Sequence, residues 1–143
     1  LKESINLLQE LDNSIQINFS SNLKKIILDS DKEQLGRVFF NLIKNSIESI
    51  HQKLEKSSNN NKNITIELND YDDHINFIII DTGVGFVNIK SKIKDILNPY
   101  FTTKKNGTGL GLSIVNKIIN DHNGKIKFIP FNNGAKIEII FIK

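Results

Sequence analysis

The sequence predicts one α/β domain, a two-layer α/β sandwich whose mixed, mostly antiparallel sheet carries helices on one face. Three observations lead there. The chain has 143 residues, 38% hydrophobic and 24% charged, which suits a single domain with one sizeable core. Two stretches, about 31–52 and 108–122, repeat apolar residues at the helical period. Around them, strand-like runs arrive in pairs separated by short polar turns.

Taken in order, residues 1–12 place Ile5, Leu8 and Leu11 at spacings of three, the mark of an amphipathic helical end. Strand-like runs follow at 15–19 and 23–29. The helix at 31–52 opens on Ser30 with Glu33 three residues later, a capping-box pattern. Leu35, Val38, Phe39, Leu42, Ile43 and Ile50 form its apolar stripe. Residues 53–63 are polar, with an asparagine run, and read as a surface loop. Strands at 64–71 and 75–81 turn through Asp72 and Asp73 as a hairpin. Residues 86–106, rich in Lys and Asn and containing Pro99, leave room for a short helix near 91–97. The second helix, 108–122, ends at Asn123-Gly124, a C-cap pairing. Strands at 125–129 and 135–142 then turn through Asn132-Asn133-Gly134.

Composition excludes several classes. There are no cysteines, which removes disulfide scaffolds, thiolate catalysis and thiolate zinc sites. Three scattered histidines do not make a metal cluster. No apolar run approaches the ~20 residues of a membrane span, and the N-terminal residues do not resemble a signal peptide. The net charge of +3 comes from lysines spread along the chain, with Arg37 the only arginine. A nucleic-acid surface concentrates its charge, often with Arg and aromatic residues, so no nucleic-acid partner is expected. Beginning at Leu1, the sequence reads as a fragment.

Three motifs carry chemistry. On the first long helix Arg37, Asn41, Lys44, Asn45 and Glu48 share one side. Asparagine is a mediocre helix former, and its amide oxygen suits a hard cation held alongside phosphate oxygens and water. A solvated face in an asparagine-rich chain is the alternative. Next, Asp81-Thr82-Gly83-Val84-Gly85 follows a strand. It is either a turn or a carboxylate placed to accept an exocyclic amine, with glycines letting a base approach the backbone. Last, Gly107-Thr108-Gly109-Leu110-Gly111 opens the second helix. So many glycines make a poor start unless backbone N–H groups must be laid bare for an anion, or unless the segment is a hinge. Neither the Rossmann nor the Walker spacing is present.

In this order, with Pro99-Tyr100-Phe101 between the last two, the motifs resemble those of the catalytic and ATP-binding domain of bacterial sensor histidine kinases. That domain belongs to the superfamily shared with gyrase, Hsp90 and MutL. NLIKNSIES resembles the N box, DTGVG the G1 box, NPYFTTK the F box and GTGLGL the G2 box. The wording is most similar to the nitrogen-regulation kinases of the NtrY and NtrB type. The resemblance implies the Bergerat ATP-binding fold over residues 13–143, with residues 1–12 ending a dimerisation-helix region or connector. It implies ATP and Mg²⁺ as cofactors. Asn45 would ligate Mg²⁺, with Asn41 beside it near the phosphates, and Asp81 would bind the adenine amine. Gly83 and Gly85 would shape the base pocket. Gly107, Thr108, Gly109, Leu110 and Gly111 would cradle phosphates, and residues 86–106 would form a lid from which Lys104 or Lys105 reaches the γ-phosphate. Phe101 would anchor the lid.

The resemblance also implies an upstream dimerisation and phospho-acceptor domain, a cognate response regulator and a dimeric full-length kinase. The isolated domain would be monomeric and cytoplasmic, compatible with an inner-membrane anchor elsewhere. None of His51, His74 and His122 has the setting of a phospho-acceptor. Glu48 departs from the pattern, standing where many sensor kinases carry Lys or Arg; Asn98 and Ala135 replace a common Glu and Thr. The main alternative is an ATPase or an anti-sigma-factor-like serine kinase. Those relatives carry a general-base glutamate at the position of Asn41, and an amide cannot take a proton from water.

Overall fold

In the computed structural model, which describes residues 1–22, 30–55, 61–86, 95–101 and 108–143, eight elements follow one another. They are α1 (Lys2–Leu11), β1 (Gln16–Ser21), α2 (Lys32–Leu54), β2 (Asn63–Asp70), β3 (His74–Asp81), α3 (Gly111–Asp121), β4 (Gly124–Phe131) and β5 (Gly134–Ile142). The strands form one sheet in the order β1-β2-β3-β5-β4. β1 runs parallel to β2, and the other three pairings are antiparallel. This is the mixed, mostly antiparallel sheet expected.

Alternation with period two decides which side of each strand enters the core. Along β3, Ile75, Phe77 and Ile79 are buried, and Asp81 continues the same face at the strand's end. The register sets Ile66 beside Ile79 and Ile79 beside Ile137, so one layer crosses three strands. Against it lies α2, which buries Leu35, Val38, Phe39, Leu42, Ile43, Ile47 and Ile50. The rings of Phe39 and Phe77 meet at 4.9 Å and 46°. Full burial of each such side chain contributes about 1.5–3 kcal/mol, so this helix–sheet contact dominates the fold. α1 adds Ile5 and Leu8 to the same core.

Several expectations shift by a residue or a turn. The cap of α2 is Asp31, not Ser30: its carboxylate accepts from the N–H groups of Glu33 and Gln34. A carboxylate is the better acceptor beside the positive end of a helix. Those bonds hold the Asp31 carboxyl below its ordinary pKa. The stability they contribute is therefore present above the ordinary carboxylate value and is lost as pH falls through the depressed one. Leu11, expected on the apolar stripe, is 72% exposed, because α1 ends there and the chain turns away. α3 begins at Gly111 and not at Thr108, and Asn123 (φ 55) terminates it in the left-handed conformation. His122 joins two helix ends, its Nε2 accepting from Asp31 N–H (3.0 Å) while Nδ1–H donates to Ile118 O (2.7 Å). The strand expected at 23–29, residues 56–60 of the polar loop and most of the helix near 91–97 lie outside the described residues.

Candidate functional site

Asp81 is where the alternation of β3 produces something a core does not want. The strand carries its inward face one alternation past Ile79, so a carboxylate lands at the end of the central strand with only 4% of its surface exposed. Burial pushes its pKa up, and the bonds it accepts pull the other way. Gly83 N–H donates to Oδ1 at 2.9 Å, the Ser46 hydroxyl and the Ala135 N–H also donate, and the Lys53 ammonium is near.

The loop after Asp81 packs where side chains do not fit. A Cβ on Gly83 would overlap the Ser49 hydroxyl, and one on Gly85 would overlap the Gly134 carbonyl. Gly85 also has φ +66, which glycine alone adopts without cost. Ser49 locks the loop onto α2, its Oγ (3.1 Å) and carbonyl (3.3 Å) both accepting from Val84 N–H.

Above Asp81 opens a cavity of about 540 Å³. This size is ordinary for a small-molecule site. One wall is a stripe of α2 containing Asn41, Lys44, Asn45, Glu48, Ser49 and Gln52, the i, i+4, i+7 pattern of a helix face. Val84, Gly85, Ile96 and Phe101 also line the cavity, as do Phe86 and Phe128, whose rings meet edge to face (5.5 Å, 88°). Thr108, Gly109 and Gly111 at the start of α3 complete the lining. Among the described residues no side chain caps that helix, and a helix start of this kind offers its first N–H groups to an anion. A Cβ on Gly111 would meet open space, whereas one on Gly109 (φ +69) would run into the Tyr100 backbone.

Of the residues singled out from the sequence, Asn41, Asn45, Asp81, Gly85, Thr108, Gly109 and Gly111 line this one cavity. Gly83 sits behind it against Ser49, and Leu110 is the residue before α3 and does not line it. Lys104, Lys105 and Gly107 lie outside the described residues, as does most of the 86–106 segment. The side chain of Asn41 turns back on its own helix, donating from Nδ2 to Arg37 O at 2.9 Å. Arg37 lines a separate groove with Glu3, Leu7 and Phe40. Sequence reasoning passed over Ser46, Ser49 and Lys53; for Ser49 the signal was its spacing of four from Asn45, and for Ser46 its place as a polar residue on the apolar stripe, four residues after Leu42 and four before Ile50. Glu48, which stands where the resemblance leads one to expect Lys or Arg, pairs with Lys44 at 3.9 Å, and both side chains line the cavity.

The donor set fits a nucleotide with a hard cation. A buried carboxylate offers acceptors to a base amine, and a helix start offers N–H groups to phosphates. Among the described residues no three His, Cys, Asp or Glu gather as ligands. The Asn45 amide oxygen suits a cation that brings phosphate and water oxygens with it.

Residues 30–143 match the family described as histidine kinase-, DNA gyrase B-, and HSP90-like ATPase. The chain is 33% identical over 130 residues to the sensor histidine kinase ZraS of Salmonella typhi, covering 89% of this chain and 26% of that protein. It is 31% identical over 132 residues to a putative NtrY-like sensor histidine kinase of Rickettsia bellii, covering 92% and 20%. The chain thus spans about a quarter or less of these relatives. Among solved structures, the nucleotide-free catalytic domain of the histidine kinase ThkA superposes with a TM-score of 0.83 at 28% identity, over 99% of this chain and 90% of that one.

Proposed function

Because the chain belongs to the histidine kinase-, DNA gyrase B- and HSP90-like ATPase family, we propose that it is the ATP-binding catalytic domain of a sensor histidine kinase. It binds Mg-ATP and delivers the γ-phosphate to a histidine on an upstream dimerisation domain, as the first step of two-component signalling to a response regulator. The observation that carries this reading is that one cavity is lined both by the buried Asp81 and by the start of α3, which no side chain among the described residues caps.

In this reading Asp81 accepts the adenine amino group, and the glycine-backed loop lets the base lie against backbone. Gly109 and Gly111 offer N–H groups to the phosphates, and Gly107, Thr108 and Leu110 join them in cradling those phosphates. Asn45 supplies an amide oxygen to the cation, and Asn41 flanks it. When bound, Mg²⁺ neutralises phosphate charge and lowers the barrier to transfer. The acceptor imidazole is nucleophilic when neutral, so this domain needs no general base of its own. Asn41, hydrogen-bonded to Arg37 O, cannot take a proton from water, which argues against a hydrolase or serine-kinase switch.

Residues 86–106 act as a lid over the nucleotide, with Phe101 at its base and Lys104 and Lys105 directed to the γ-phosphate. Residues 13–143 form the catalytic unit, and residues 1–12 lead into it from the dimerisation region. The full-length kinase is dimeric and this domain works on the cytoplasmic side; among the described residues no helix is long and apolar enough to cross a membrane.

Calorimetric titration of the chain with ATP, with and without Mg²⁺, tests the reading. Asn45→Ala is expected to abolish the Mg²⁺-dependent part of ATP affinity in a protein that stays folded; an intact Mg²⁺ increment refutes the ligand role. Replacing Lys104 and Lys105 together by Ala is expected to weaken ATP binding more than ADP binding, because only ATP carries the γ-phosphate. Equal losses for both nucleotides would remove these lysines from the γ-phosphate.

A further inference from the structure

Lys53 stands on the last turn of α2, half-buried, and its ammonium donates to two backbone carbonyls from different parts of the chain: Thr82 O at 3.0 Å and Asn133 O at 2.9 Å. Thr82 directly follows Asp81, and Asn133 occupies the β4–β5 turn with φ 62. These segments meet backbone to backbone: a Cβ on Gly134 would fall onto Asp81 O, and one on Gly85 would fall onto Gly134 O. Two carbonyl dipoles converging on one point repel unless a cation lies between them. We propose that Lys53 is a positioning residue for base recognition, clamping the Asp81–Gly85 loop to the β4–β5 turn and so holding the Asp81 carboxylate at the cavity floor.

The inference rests on the reading of Asp81 as the adenine acceptor and adds a residue that does not touch the nucleotide. The electrostatics agree with the geometry, since Lys53 is among the groups that favour the ionised carboxylate against its burial. The other ionisable groups lining the cavity among the described residues are Lys44 and Glu48, which pair with each other; β5 contributes Ala135 and Ile137, and α3 Gly111 and Leu112.

Lys53→Met keeps the apolar stem and removes the cation, and Lys53→Arg restores one. ADP affinity is measured by calorimetry against pH for the wild-type chain and both variants, and amide hydrogen exchange is measured across 82–85 and 132–135. Lys53→Met is expected to bind ADP roughly five- to tenfold more weakly. Its affinity should fall off at a higher pH than the wild type's, and both segments should exchange faster; Lys53→Arg should recover all three. Wild-type affinity and exchange in Lys53→Met overturn the clamp. A loss of affinity without a shift of the pH midpoint, or one that Lys53→Arg does not rescue, also overturns it, because packing alone would then explain the loss. If the wild-type chain binds no ADP, the base-acceptor reading falls separately, and the exchange measurement still decides whether Lys53 clamps the two segments.

Discussion

Asp81→Asn is expected to cost the chain about ten- to hundredfold in ADP and ATP affinity while leaving its fold as stable as before or more so. The loss follows from one hydrogen bond to a charged acceptor, worth about 1.5–3 kcal/mol. An asparagine in the same place presents an amide N–H₂ where a base amine needs an acceptor. The stability side has the opposite sign. Burial raises the Asp81 pKa, so the folded state holds this proton more tightly than the unfolded state does. Between the two pKa values the folded state binds more protons, and stability therefore falls as pH rises through the raised value. The ionised form of Asp81 is thus a burden on the fold, and the neutral amide removes it while Gly83 N–H keeps an acceptor. For nucleotide binding the wild-type affinity should decline as pH is lowered through that raised pKa, earlier than for an ordinary carboxylate. Calorimetry and thermal melts of the two proteins check both halves. Equal ADP affinity in Asp81→Asn would end the adenine assignment, and a large drop in melting temperature would mean the carboxylate is held for the fold.

Gly134→Ala is expected to be the most damaging added methyl among the described glycines. The added Cβ would fall onto Asp81 O, and the next nearest atoms are the Asp81 carbonyl carbon and the Thr82 Cα. Backbone cannot yield as the end of a flexible side chain does, so the β4–β5 turn must move away from the end of β3. That motion opens the Asp81–Ala135 pairing and the Lys53 contact to Asn133 O. A loss of about 3 kcal/mol, of the order of 10 °C in Tm, is the expected scale, with nucleotide affinity falling alongside. Gly36→Ala is the matched control, because a Cβ there meets nothing within 4 Å and the residue lies in α2, where alanine is the better helix former. A Gly134→Ala protein as stable as the wild type would show that the turn has slack the structure does not display.

The chain's order of motifs determined the family, and its hydrophobic periods determined α2, the β2–β3 hairpin and the β4–β5 hairpin almost to the residue. These are local signals: a period of 3.6 or 2 depends on neighbours in sequence, and a two-residue turn needs only its own asparagines. Asn41 and Asn45 were legible as a pair for the same reason, being one turn apart on one helix. The cap was misread because Ser30 and Asp31 are both competent acceptors, and the backbone path into α2 selects between them. What the sequence could not supply was everything that meets across the fold. Ser46, Ser49 and Lys53 look like any polar residues of a long helix until β3 and β5 bring Asp81, Val84 and Asn133 against them. Gly134 looks like an ordinary turn glycine until its Cα is found against the Asp81 carbonyl. Local periodicity fixes which face of each element is apolar, but the partners of these polar groups are set by contacts 29 to 80 residues apart in sequence, and only tertiary packing creates those.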